Sequence, residues 1–179
     1  MKIEIRNRLN NAVTLRRQHG ASLLEGIAYL GIAALVVLGA VSLLSNASAS
    51  AQANQTSGEL IALRTAVKKL YAGQAFPVQS LTNTLVLAKA VPSTLQVNGT
   101  AITNTWGGAV TVDGTTSTTF TIVYNGVPQE VCVNILSGIT GWNSVRAGTG
   151  APKVTFPLTS DDATTVCAAA TNNVSLVAS

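Results

Sequence analysis

Apolar residues crowd one stretch of this chain and recur at set intervals elsewhere. Between Gly26 and Gly58 there is no charged residue, and the 18 residues Ile27–Leu44 are nearly all apolar or small. A run of that length crosses most of a bilayer as a helix. The pattern then turns amphipathic. Leu60, Leu63, Val67 and Leu70 recur at spacings of 3, 4 and 3, with Ile61 alongside, while Glu59, Arg64, Lys68 and Lys69 lie mostly on the other side. Such a stripe packs against a neighbouring element. No proline occurs between Met1 and Phe76, so one helix from about Ser22 to Tyr71 is allowed. Gly73 and Pro77 end it.

The second half alternates differently. "SLTNTLVLAKAVPS" predicts a short helix over 81–90, capped by Ser80 or Thr82 and stopped by Pro92. Asn98-Gly99 sits between two short alternating runs, a hairpin signal. "GAVTVD" and "TTFTIVYN" are rich in β-branched residues and predict an antiparallel pair around a turn at Asp113–Ser117. "VPQEVCVNILSGIT" reads as strand or helix. Helix is preferred, because Val131/Ile135/Ile139 and Cys132/Leu136 recur at i,i+4, Pro128 suits a first turn and Glu130 favours the helix start. "NNVSLVAS" predicts a last strand. The expected class is α+β, a long N-terminal helix packed on an antiparallel sheet.

Charge changes the picture through its position. The formal net charge is +4. All of it lies in residues 1–20, where Lys2, Arg6, Arg8, Arg16 and Arg17 face only Glu4. Beyond them six basic residues balance six acidic ones, so no basic patch remains for a phosphate backbone, and nucleic-acid binding is not expected. The lone histidine is His19. A Ser-His-Asp site, a Cys-His site or a histidine metal site is therefore missing beyond residue 20, and six scattered carboxylates do not suggest a glycosidase pair. No enzyme activity and no cofactor is expected. Asp161-Asp162 reads as an exposed polar loop, with calcium contact as the lesser alternative. Trp106 beside Gly107-Gly108 reads as a packing corner or a ligand-stacking ring. Trp142, in the Gly-rich loop "SGITGWNSVRAG", is either buried or facing another molecule. Cys132 and Cys167 are an even pair. In an oxidising compartment they read as one disulfide closing about 35 residues, worth roughly 3–4 kcal/mol. Two buried thiols are the alternative.

The front end carries a puzzle. A basic run ends at His19-Gly20, an apolar run begins at once, and Glu25 stands near its start. A secretory signal peptide would explain the basic and apolar runs, and "NASASAQA" offers small-residue cleavage sites near Ser50 or Gln52. Under that reading the product is a secreted binding domain. Its apolar core is longer than a usual signal, and Glu25 interrupts its start. A plain membrane anchor leaves Glu25 unexplained.

"RRQHG" directly joined to "ASLLEG" resembles the processing region of type IV prepilins. The resemblance implies cleavage by prepilin peptidase between Gly20 and Ala21, with Glu25 as the fifth residue of the mature chain. It also implies N-methylation at Ala21. An alanine at the first mature position and a long leader are similar to the type IVb branch. So are "LVLAKAVPS", "TNTWGGAV" and the region bounded by Cys132 and Cys167. The resemblance further implies a leader over 1–20, a transmembrane and filament-core helix over 21–52, and a globular head over 53–179. The implied function is that of a structural subunit polymerised into an extracellular helical filament used for conjugation, adhesion or aggregation. The implied partners are further copies of itself, the peptidase, the inner-membrane assembly machinery and the inner membrane, with the N-terminus cytoplasmic and the head periplasmic. A minor pilin or a type II secretion pseudopilin shares the leader and Glu25. Glu25 would set the axial register by meeting the Ala21 amine of a staggered neighbour, since a lone carboxylate in a membrane helix costs roughly 2.5–3.5 kcal/mol. Gly26, Gly31 and Gly39 either allow close helix approach or local unwinding, or reflect the ordinary frequency of glycine in membrane helices.

Overall fold

The computed structural model describes residues 23–179. Gly20 and Ala21, on which the cleavage and methylation expectations fall, lie outside the described residues. Two compact units divide the chain, one ending at Ser42 and the other spanning Leu43–Ser179. Helix α1 runs Leu23–Leu70, close to the bounds expected. It is continuous through Gly26, Gly31 and Gly39, and nothing lies within 4 Å of where a Cβ at any of them would sit. By length and composition its apolar part is able to cross a membrane.

The second unit takes its shape from the patterns of its segments. Helix α2 (Thr82–Leu87) is shorter than the 81–90 expected. Strands β1 (Gln96–Asn98) and β2 (Ala101–Thr103) form the hairpin at Gly99, whose φ of +62° only glycine adopts easily. Strands β3 (Ala109–Gly114) and β4 (Phe120–Pro128) pair antiparallel, and α3 (Gln129–Gly138) comes next, so the helical reading of that segment holds. Strand β5 (Ser144–Ala147), helix α4 (Ser160–Val166) and strand β6 (Thr171–Ala178) complete the chain. The six strands form one antiparallel sheet in the order β1-β2-β3-β4-β6-β5.

Side chains alternate across the strands. Val110, Val112, Phe120, Ile122, Tyr124, Val145, Val174 and Leu176 point to the buried face. They share one core with Leu60, Leu63 and Val67 of α1, with Leu81 and Leu85, and with Val131, Ile135 and Leu136 of α3. Because β2 has only three residues, it leaves part of the β3 edge unpaired. Leu81 N–H donates to Val112 O at 2.7 Å, Val112 N–H donates to the Thr82 hydroxyl at 2.9 Å, and Gly114 N–H donates to Gln79 O at 2.9 Å. The segment before α2 thus satisfies backbone groups that burial would otherwise penalise. It runs so close that a Cβ on Gly114 would overlap Pro77 O.

Three expectations need correction. The Asp161-Asp162 polar loop is the first turn of α4. Part of the Gly-rich loop around Trp142 is strand β5, paired to β6 on one side and bridged to Lys153 on the other. Glu59, placed mostly on the outer side of α1, is 4% exposed, whereas Ile61 of the expected stripe is 58% exposed. Residues 59, 63 and 67 recur at i,i+4, so Glu59 shares the inward face of Leu63 and Val67.

Candidate functional site

Among the described site residues, Glu25 stands in the first turn of α1, where an acidic group is favoured by the helix dipole. The Tyr29 hydroxyl, one turn on, lies 3.5 Å from Glu25 Oε1. From Leu23, 85% exposed, to Leu44 the large apolar side chains point outward. This surface can leave water only by entering lipid or by packing on other apolar helices.

The second expected site is present as a bond. Cys132, in α3, and Cys167, just after α4, form a disulfide with Cα atoms 5.9 Å apart. It encloses β5 and α4. Helix α4 has one buried residue, Ala163, and is held further by its cap, where the Asp162 N–H donates to the Thr159 hydroxyl at 3.2 Å. The Lys153 ammonium donates to Asp162 Oδ1 at 2.8 Å. That hydrogen bond, and next the one from the Thr159 hydroxyl, hold the Asp162 carboxyl below the usual carboxylate range.

Polar contacts that tie α1 to the sheet were not expected. The buried Glu59 carboxylate accepts from Gln55 Nε2 at 3.0 Å and from the Tyr124 hydroxyl at 3.3 Å. Burial, then the charge of Glu59 and its hydrogen bond, push the Tyr124 hydroxyl far above its ordinary value. The folded state therefore holds this proton more tightly than the unfolded one. Its contribution is fully present below pH ~10 and declines as pH rises further. Tyr124→Phe leaves Glu59 with one donor fewer and should cost about 1–3 kcal/mol in urea denaturation. Tyr124→Phe with Glu59→Leu should regain most of that, since removing both partners strands neither. An unchanged midpoint for the single variant would show that the hydroxyl contributes nothing.

Both tryptophans are packing residues anchored to α1. The Trp106 indole N–H donates to Gln52 Oε1 at 2.9 Å. Trp142 is buried, with the Arg64 guanidinium 5.3 Å from its ring centroid, a cation–π contact. The corner expected at Trp106 has Asn104 at its centre. Asn104 Oδ1 accepts from the N–H groups of Trp106 at 3.1 Å and Gly108 at 2.8 Å, and its Nδ2 donates to Asn125 O at 2.8 Å. A Cβ on Gly108 would overlap Asn125 O, so the close strand approach requires glycine there. Among the described residues no group of three or more His, Cys, Asp or Glu side chains is placed to hold a metal ion.

A long helix with an outward apolar half, laid on an antiparallel sheet whose last strand succeeds a disulfide-bounded loop, is the fold of type IV pilins. The chain is similar to the crystal structure of TcpA, a type IV pilin from Vibrio cholerae El Tor biotype, with a TM-score of 0.53 and 14% identity over 72% of this chain and 99% of that one. The chain belongs to the PilS N-terminal family, whose model matches residues 50–179. No curated relative matches it. It is a type IV pilin subunit.

Proposed function

We propose that this pilin is made as an inner-membrane precursor with a cytoplasmic N-terminus and a periplasmic head, and becomes the building block of a type IVb pilus. Prepilin peptidase cuts between Gly20 and Ala21, removing residues 1–20, and the new Ala21 amine is the methylation site. Residues 21–52 form the filament core and residues 53–179 the head. Assembly machinery in the inner membrane then adds copies to an extracellular filament that serves conjugation, adhesion or aggregation.

One observation carries this reading. Glu25, the fifth residue from Ala21, heads a helix whose large apolar side chains from Leu23 to Leu44 are all exposed, while burial begins only at Ala49 and Ala53. A partner for that surface is what a helical bundle of identical subunits supplies, and within it the Ala21 amine of a staggered neighbour is the cation placed to meet Glu25. Mass spectrometry of fibres sheared from cells tests the reading. A chain beginning at Ala21, methylated at its amine, is the expected result. A chain beginning near Ser50 or Gln52 would make the protein a secreted domain instead, and retention of residues 1–20 would remove the proposed amine.

A further inference from the structure

The outward face of the sheet, opposite α1, carries one charge of each sign. The strand registers place Asp113, Thr121, Val177 and Ser144 in one row across β3, β4, β6 and β5. The neighbouring row on the same face is Thr111, Val123, Ser175 and Arg146. Asp113 and Arg146 thus stand at opposite corners of a two-by-four array. With strands about 4.8 Å apart and about 3.4 Å per residue, the corners are roughly 16 Å from each other. A shallow trough of about 410 Å³ lies on this face, and Asp113 and Arg146 are the charged residues lining it. Its floor is Thr121, Val123, Ser175 and Val177, all short side chains. Among the described residues neither Asp113 nor Arg146 makes a side-chain hydrogen bond or an ion pair.

We propose that this face is a self-complementary contact between two copies of the chain in different filaments, resting on the filament reading above. A two-fold axis lying in the plane of the contact, perpendicular to the line joining the two corners, brings Asp113 of each copy to Arg146 of the other. The two ion pairs form together, and the short side chains let the sheets approach. A small ligand would have to present a cation and an anion about 16 Å apart to satisfy both corners. A second copy does so by symmetry. Such an isologous contact does not arise between successive subunits of a polar filament, which one repeated screw operation joins through unlike surfaces. It therefore links neighbouring filaments side by side. The array covers roughly 14 by 7 Å, far below the ~800 Å² per partner of a stable dimer. Single subunits do not pair through it. Two filaments repeat it along their length, and the contacts reinforce one another.

The test uses filaments of the full chain, with bundles counted by electron microscopy and collected by low-speed pelleting. Wild-type bundling should fall at least fivefold between about 10 mM and 1 M salt, as screening shortens from ~30 Å to ~3 Å. Asp113→Arg and Arg146→Asp should each give wild-type numbers of single filaments with at least fivefold fewer bundles, because like charges then meet. The double swap restores unlike pairs and should restore bundling. Bundling by either single variant at the wild-type level, a double swap that stays unbundled, or salt-independent bundles would overturn the proposal. Wild-type filaments that never bundle sink it alone, whereas the absence of any wild-type filament sinks the assembly reading first.

Discussion

Glu25→Ala should leave precursor processing intact and reduce surface filaments at least tenfold. In the membrane-held precursor a carboxylate on an apolar helix is a cost, roughly 2.5–3.5 kcal/mol on insertion scales. Alanine removes that cost, so the variant precursor should insert as well as the wild type or better. Under the proposed assembly the same carboxylate would meet the Ala21 amine of a staggered neighbour in a low-dielectric core, where an unpaired charge is strongly penalised. On that proposal, removing it would leave the amine without its partner and the axial register without its marker. A loss of about 1.4 kcal/mol per added subunit already lowers each addition tenfold. Glu25→Gln separates charge from shape: it keeps the length and a hydrogen-bonding end but not the anion, so it should fail as alanine does. Processing is read by the size shift of the cleaved chain, and assembly by filament counts and sheared yield. Normal filament numbers from Glu25→Ala would sink the register role while leaving the fold untouched.

What the sequence discloses here depends on whether a pattern repeats within one element. The buried stripe of α1 does, through Leu60, Leu63 and Val67, and so do the β-branched runs of β3 and β4. Helix α3 is legible because Val131, Ile135 and Ile139 keep helical spacing over more than two turns. Strand β5 is not. It has four residues, only Val145 and Ala147 face the core, and its ladder comes from β6, which begins 24 residues further on and lies outside a local window. Helix α4 has seven residues, too few for periodicity, yet Thr159 with Asp162 three residues later is a capping pattern. That pair marks a helix start inside what composition alone makes a polar loop. Glu59 is misplaced when polarity is weighed above spacing. The Tyr124 contact that helps make its burial tolerable, and the one between Trp106 and Gln52, join residues 65 and 54 positions apart. No periodicity encodes such partners. The puzzle at Glu25 is legible from its neighbours in sequence, whereas the outward face bearing Asp113 and Arg146 emerges only once four strands are in register.

Cys132→Ser should destabilise the head by about 2–5 kcal/mol and open the chain to proteases in one region first. The bond closes a separation of 35 residues, which the chain-entropy estimate values at roughly 3–4 kcal/mol. Position raises the effect. Within the enclosed segment β5 is an edge strand of four residues and α4 buries only Ala163, so neither is held firmly by its own packing. The ion pair that ties α4 to the loop before it, Lys153–Asp162, is at the surface, where ion pairs contribute little. Cys132 and Cys167 are themselves fully buried, so serine also places an unpartnered hydroxyl in the core. Loss should begin by release of α4 and the loop before it, with α1 and the central pair β3–β4 holding longer. Urea denaturation measures the total, and limited proteolysis locates the first cuts, expected between 148 and 160. Cys132→Ala with Cys167→Ala removes the bond without adding hydroxyls and should recover part of the loss, by about 1 kcal/mol or more. A serine variant with wild-type urea midpoint and wild-type protease resistance would show that packing alone holds this region, and that the disulfide adds nothing to the stability of the head.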